Sequence, residues 1–364
     1  VFSRTENTVW DGVLEKPILE PPPDHVTFAH GFFTRFSVLP FVLKRFLHLI
    51  PVFLGATMLS FFIIQAAPGD FLDQRRLDTR TKPETIDRLE RKFGLDQPVP
   101  VQYLIWLRNV ATGDLGTSFD YDRPVVEVIL PKIANSLVLV VGNIALLWLI
   151  SIPLGVYGAV RQYSLGDQTI SLASYFFLGF PGFFLGLIVI YLLLQFKFTT
   201  GFFLLPVAGM TSQDFESFTP AQKMLDILWH SIAPMLTVTV IGVAGFSRFM
   251  RAQMLDVLDA EYIRTARAKG LSERLVIYKH ALRNAITPFV SGIGGILPAL
   301  IGGAGFVEVV FNWPGMTPML LGAINSQDLY VFVGVIAITL VLLIIGNLLS
   351  DLLLAVTDPR VRFE

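Results

Sequence analysis

The sequence predicts an all-α membrane protein with six transmembrane helices, and three observations predict it. Of 364 residues, 53% are hydrophobic and only 16% are charged, with a mean hydropathy of +0.61, beyond what the core of a soluble domain requires. Six long runs, at 46–69, 133–160, 168–196, 227–247, 284–307 and 329–350, contain no Asp, Glu, Lys or Arg. Each is long enough to cross a hydrocarbon core about 30 Å thick while a helix satisfies its own backbone polar groups. The basic residues, finally, gather in one connection between runs.

Taken in order, residues 1–40 contain Pro21, Pro22 and Pro23 with scattered charges and no sustained period, which reads as a poorly ordered tail. The segment 41–69 is a retained anchor: its apolar run starts too late and is too long for a cleaved leader. Residues 70–132 are polar enough to lie outside the membrane and carry helix signals. Pro83 suits a first helical position, Ile86, Leu89 and Phe93 recur on one face, and Gly94 suits the stop. A second helix is expected over 101–110, presenting Tyr103, Trp106, Leu107 and Val110 for packing and ending near Gly113. This small extracytoplasmic helical region either touches a delivery protein or covers the spans.

Residues 133–357 then form the core, with five of the spans. Two stretches inside it are apolar without being spans: 198–213 is short and holds Gly201, Pro206 and Gly209, and 309–327 holds Asn312, Pro314, Gly315, Pro318 and Asn325. Both read as extramembrane or re-entrant. The tail 358–364 follows.

Orientation comes from Lys and Arg, which are retained on the cytoplasmic flanks. The connection 248–283 carries Arg248, Arg251, Arg264, Arg267, Lys269, Arg274, Lys279 and Arg283 against four acidic residues. Lys44, Arg45, Arg360 and Arg362 flank the first and last spans. The loop and both termini are therefore expected in the cytoplasm, with the protein in the cytoplasmic (inner) membrane.

That connection is too long for a plain turn. Asp259 and Glu261 open a helix over 259–268 and Arg264, Arg267 and Lys269 close it, which complements the helix dipole. Gly270 is a natural stop, with a positive φ expected, and Ser272 can cap a second helix to about Arg283. The plain alternative is a solvated basic loop obeying the charge rule.

Several classes of chemistry are excluded or weakened. A net charge of −1 supplies no field to draw nucleic acid. With no cysteine there are no disulfides, thiolate metal sites or cysteine nucleophiles. No G-x-x-x-x-G-K-[ST] occurs, so the chain is not expected to hydrolyse ATP. His25 and His30 lack metal-ligand spacing. His230 and Ser231 are adjacent, point apart on a helix, and have no orienting acid evident beside them.

Two helical patterns remain. Ser291, Gly295, Ala299 and Gly303 repeat every four residues and make a smooth stripe for close helix packing. Asn347 and Asp351 share a face near the end of the last span, either as a polar pair on a translocation path or as a structural cap.

The stretches YIRTARAKGL at 262–271 and HALRNAITP at 280–288 resemble the cytoplasmic coupling loop of binding-protein-dependent ABC importer permeases, in the dipeptide, oligopeptide and nickel branch. In the general family this loop reads E-A-A, three residues, Gly, then I-x-L-P. Ala266, Gly270 and Leu282 keep the pattern, whereas Arg264, Thr265, His280 and Arg283 depart from it. APGD at 67–70, FGLDQPVPVQYLIWL at 93–107, GDLGTSF at 113–119, VEVVFNWPGM at 307–316 and DPRVR at 358–362 extend the resemblance over 41–364.

The resemblance implies a type I importer permease fold and a non-catalytic permease subunit forming half of a path for dipeptides or oligopeptides. Nickel, glutathione or another small solute is the alternative cargo. It also implies a homologous second permease, two cytoplasmic ATPases that bind ATP and Mg, and an extracytoplasmic solute-binding protein. The ATPases would grip Glu261, Tyr262, Arg264, Thr265, Ala266, Arg267, Ala268, Lys269, Gly270 and Leu271. A secondary carrier or an intramembrane enzyme competes with this reading. No charged coupling site, inverted repeat or catalytic constellation supports either.

Overall fold

A computed structural model describes residues 38–66, 72, 76, 83–295 and 305–357. Among them the structure is helical, with one isolated antiparallel bridge between Thr117 and Pro124. Helix α1 (Val38–Ala66) is followed by α2 (Pro83–Phe93) and α3 (Val99–Val110). Gly94 and Gly113, at φ 67° and 86°, end α2 and the turn after α3, because only glycine takes that conformation without a Cβ penalty. On α3, Tyr103 and Trp106 are buried against Phe61 of α1 and against Leu329 and Val333 near the chain's end. The Tyr103 hydroxyl lies 3.1 Å from Thr57 Oγ1, and Gln65 Nε2 donates to Gln102 Oε1 at 2.9 Å.

The two longest helices, α4 (Val125–Val160) and α7 (Pro220–Leu258), have 36 and 39 residues, about 54 and 58 Å at 1.5 Å per residue. Thr219 and Gln222 form a capping box at the start of α7. The pair packs backbone to backbone: a Cβ on Gly155 of α4 would stand 2.7 Å from the Ser247 carbonyl oxygen of α7. Farther along the same pair, Thr239 donates to Asn143 Oδ1 at 2.8 Å. Between them in sequence run α5 (Leu165–Leu178) and α6 (Gly182–Thr200).

After α7 come α8 (Glu261–Ala268), α9 (Glu273–Leu275), a π-helical turn over Val276–Ala281, and α10 (Leu282–Ala285). Next are α11 (Thr287–Ser291) and a 3-10 turn at Gly292–Gly295. Beyond 296–304, α12 (Gly305–Val310) and α13 (Met316–Asn325) precede the last helix, α14 (Leu329–Thr357). The N-terminal end of α4 packs on α13 through Val125, Val128, Ile129, Met316 and Met319. Its C-terminal end contributes Val156 and Ala159 to an apolar cluster that also holds Ile263 and Ala266 of α8.

Several expectations change. Four helices among the described residues are long and apolar enough to cross a membrane: α4, α6, α7 and the 329–348 part of α14. The run 168–196 is not one helix but α5 and α6, parted at Gly179–Pro181. Proline lacks the amide proton and disfavours helix at the residue before it, and glycine on either side removes the propensity that could resist. Pro131 and Pro153 in α4 and Pro234 in α7, without such neighbours on both sides, stay helical. The run 284–307 appears as short pieces, and its residues 296–304 lie outside the described residues. The fourth helix does not stop at 247: nothing breaks it until Asp259, so Arg248 and Arg251 are helical rather than loop residues. The stretch after Gly270 is helical as expected, although Ser272 makes no side-chain cap and the π turn interrupts it.

Of the two apolar stretches set apart from the spans, 198–213 contains the end of α6 at Gly201, φ 79°, and 309–327 contains the non-helical link 311–315 followed by α13. The tail 1–37, with His25 and His30, and the motifs at 67–70 and 358–362 lie outside the described residues.

Candidate functional site

The eight residues of α8 divide into two faces. Ile263 and Ala266 are buried against Val156, Ala159, Met250, Met254 and Val276. Glu261, Tyr262, Arg264, Thr265, Arg267, Ala268, Lys269 and Gly270 are exposed, and Leu271 is half-buried. A helix this short is unstable alone, so its position depends on that apolar seat. Its exposed charges pair locally, Arg264 with Glu261 and Arg267 with Glu273, each at 2.9 Å. Such exposed pairs add at most about 1 kcal/mol. Asn284 Nδ2 of α10 donates to the Tyr262 hydroxyl at 2.7 Å, tying the two arms of the loop. Gly270 has φ 76°, and a Cβ there would meet nothing within 4 Å. The glycine is required by backbone conformation rather than by crowding. Ala266, one of the residues that keep the resemblance, faces inward and seats the helix.

Beside this cluster, Arg251 of α7 donates from Nε and Nη2 to the two carboxylate oxygens of Asp167 at 2.7 and 2.8 Å. Asp167 lies in the first turn of α5, behind the N-cap Ser164, and also accepts the Tyr163 amide at 2.9 Å. The Arg251 hydrogen bonds hold its carboxyl below the usual carboxylate range, against the opposing effect of burial. Charge counting places Arg251 in the 248–283 connection, whereas it lies on α7 and is paired. The pair lies against Gly158, where a Cβ would stand 3.0 Å from Asp167 Oδ1 and 3.2 Å from Arg251 Cδ.

At the other end of α4, Glu308 is fully buried. It accepts from Ser136 Oγ and from the Thr317 amide, while Trp313 Nε1 donates to the Asn135 carbonyl and Asn135 Nδ2 to the Pro314 carbonyl. Asp328 accepts from Ser118 Oγ at 2.5 Å and from the Asp120 and Val331 amides. Burial pushes both carboxyls up, only partly offset by these bonds. The motifs GDLGTSF and VEVVFNWPGM therefore close on buried acids that sequence reading did not single out. Glu308, between valines, and Asp328, just before an apolar run, were the available signals.

The remaining sequence candidates separate. Ser291 meets the last helix through its carbonyl, which accepts from Ser350 Oγ at 2.7 Å. At Gly295 a Cβ would meet nothing within 4 Å, and Ala299 and Gly303 lie outside the described residues. Among the described residues, close glycine packing is visible at Gly142, Gly155 and Gly158 of α4, Gly242 of α7 and Gly334 of α14. Asn347 and Asp351 are both half-buried, one turn apart on α14. His230 does have an acid beside it, contrary to the sequence reading: Asp226, one turn earlier, lies 3.5 Å from its Nδ1. Ser231 still turns away, donating to the Leu228 carbonyl. No cluster of three or more His, Asp or Glu that could hold a metal occurs among the described residues.

Comparison with known proteins gives two family matches. Residues 151–363 match the binding-protein-dependent transport system inner membrane component, and 38–140 match the N-terminal part of such membrane components. The oligopeptide transport system permease protein AppB of Bacillus subtilis (strain 168) is 38% identical over 324 residues, 89% of this chain and 99% of the relative. The dipeptide transport system permease proteins DppB of Escherichia coli (strain K12) and Alkalihalophilus pseudofirmus are 34% and 32% identical. Each alignment covers 90% of this chain and 100% of the relative.

Proposed function

We propose, for a chain that belongs to the family of binding-protein-dependent transport system inner membrane components, that it imports peptides and that α8 is the element through which ATP-driven partners move it. The chain is a permease subunit of an ABC peptide importer, as its oligopeptide and dipeptide permease relatives indicate. In this reading it forms half of the path, the other half coming from a homologous permease. A binding protein delivers the peptide from outside, and two ATPases carrying ATP and Mg act from the cytoplasm. The protein spans the inner membrane six times, with both termini and α8 on the cytoplasmic side.

The observation that carries the reading is the two-faced α8. An eight-residue helix that follows α7, seated by Ile263 and Ala266 in an apolar cluster shared with α4 and α7, leaves its other face to a partner. A push on that face reaches both long helices through Val156, Ala159, Met250 and Met254. The exposed Glu261, Arg264, Thr265, Arg267 and Lys269 supply charge and hydrogen bonding for recognition.

Gly270→Val tests the reading. A branched residue at φ 76° costs about 1 kcal/mol or more, which tilts α8 without touching the spans. In the reconstituted complex, peptide uptake and substrate-stimulated ATP hydrolysis per assembled subunit should both fall. Normal uptake with full stimulation would reduce the loop to an ordinary basic connection. Competition of labelled dipeptide and pentapeptide uptake by nickel or glutathione separates the cargoes.

A further inference from the structure

We infer that Asp167 and Arg251 are a positioning pair for transport, tying α5 to the α8-bearing end of α7 so that displacement of α8 is delivered to α5. The inference rests on the reading of α8 as the partner-held helix.

Helix α5 is built as a lever. Its 14 residues span about 21 Å and have a non-helical joint at each end. Before it, Arg161 ends α4 and Tyr163 takes φ 62°. After it, Gly179–Pro181 breaks the chain before α6, whose N-terminal residue has no side-chain cap. A rigid segment between two joints moves with whatever holds it. The ionic hold is the two-pronged bond between Arg251 and Asp167, 84 residues apart; farther along, Arg248 Nη2 donates to the Tyr175 hydroxyl at 3.2 Å and the Ser174 and Ser247 hydroxyls meet at 3.5 Å.

The pair also sits at the right place on α7. Met250 and Met254 are fully buried in one apolar cluster with Ile263 and Ala266 of α8, Met250 also lying against Gly155 of α4, whereas Arg251 is turned about 100° from Met250, toward α5. Motion of Ile263 and Ala266 therefore reaches the methionines, then Arg251 on the same turn, then the first turn of α5. Gly158 of α4 lines the pair without a side chain, leaving α5 and α7 to engage each other directly across it.

Stability alone does not account for the choice of residues. Desolvating two charges offsets most of their attraction, and well-packed apolar side chains do as well or better. What a guanidinium on a carboxylate adds is geometric register, since both oxygens are engaged in one plane. A tie that must keep its alignment while helices move needs that register.

The experiment measures peptide taken up per ATP hydrolysed in the reconstituted complex, normalised to assembled subunit. Asp167→Asn keeps the shape and loses the charge, Asp167→Ala removes the grip, and Arg251→Lys keeps the charge and loses the fork. ATP hydrolysis per assembled complex should be retained in all three. Uptake per ATP should fall by between about twofold and thirtyfold, most in Asp167→Ala and least in Arg251→Lys. A purely structural role would lower the amount of assembled complex and leave the ratio unchanged. An unchanged ratio in Asp167→Ala overturns the inference, as does failure of both Asp167 variants to assemble. Gly270→Val, measured alongside, separates the two readings. If it transports normally while Asp167→Asn loses coupling, the α8 reading is at fault; the reverse result removes the tie alone.

Discussion

Ser136 of α4 donates its hydroxyl to Glu308 of α12, and the same oxygen receives the Met316 amide at 2.8 Å. With the Thr317 amide on the other carboxylate oxygen at 2.9 Å, Glu308 closes the N-terminus of α13 from the side and fixes it to α4. A carboxylate at a helix N-terminus is favoured by the free amides there, and Gly315 makes the approach possible.

Gly315→Ala should break this lock. The added Cβ would stand 2.4 Å from the Glu308 carboxyl carbon, and a fully buried side chain cannot yield without losing its bonds. Each buried group left unsatisfied costs about 1–3 kcal/mol. The membrane-assembled complex should lose activity at a lower temperature, and Glu308→Gln, which keeps the shape and one acceptor, should be milder. An unchanged inactivation midpoint for Gly315→Ala would show that the loop repacks freely.

Asp328 makes a prediction about pH. Burial raises its carboxyl above the usual aspartate range in the folded protein, so the native state holds the proton more tightly than the unfolded chain. The associated stabilisation is full below the ordinary aspartate range and is lost as pH rises through the raised value. Asp167 has the opposite sign: its lowered carboxyl contributes above the ordinary range, and that contribution disappears on acidification. Unfolding midpoints measured from mildly acidic to neutral pH should therefore decline less with rising pH in Asp328→Asn than in the wild type. Equal slopes in the two proteins would exclude the assignment.

Ile263→Ala should loosen α8 selectively. Ile263 is fully buried beneath the helix, and such truncations cost about 2–5 kcal/mol, more than an eight-residue helix can supply by itself. Amide exchange over 261–268 should accelerate while exchange in the middle of α4 stays slow. Uniform acceleration along the whole chain would mean that α8 opens only with global unfolding.

Topology can be read with single cysteines, because the chain has none of its own. Ser118 is fully buried on Asp328 and would report burial rather than sidedness. Thr112 and Ser272 are both exposed. A membrane-impermeant reagent added to intact cells should label Thr112→Cys and leave Ser272→Cys untouched until the membrane is opened. The opposite pattern inverts the topology.

Much of the local structure was legible because local rules govern it. Pro83, Gly94, Gly113, Gly201 and Gly270 mark starts and stops that depend on φ and on a missing amide proton, properties of the residue itself. The two faces of α8 follow from helical period, and its likeness to a coupling loop was carried by Ala266, Gly270 and Leu282. Helix ends that depend on the absence of a charge were less legible. The rule of uncharged runs cuts α7 at Arg248 although no breaker stands there, and it runs across Gly179–Gly182 although two glycines and a proline do.

Composition and residue order by themselves determined that the chain lies in lipid, that its middle is helical, and that the 248–283 stretch carries a glycine turn. Those follow from transfer energetics and backbone sterics acting over a few neighbouring residues. Only the tertiary structure decided what each charge does. Arg251 is held by a carboxylate 84 residues away, while Glu308 and Asp328 are buried among hydrogen-bond donors brought in from α4 and from 118–120. The cost of a charge depends on the dielectric and the partners that folding places around it, and those come from parts of the chain that sequence order keeps far apart.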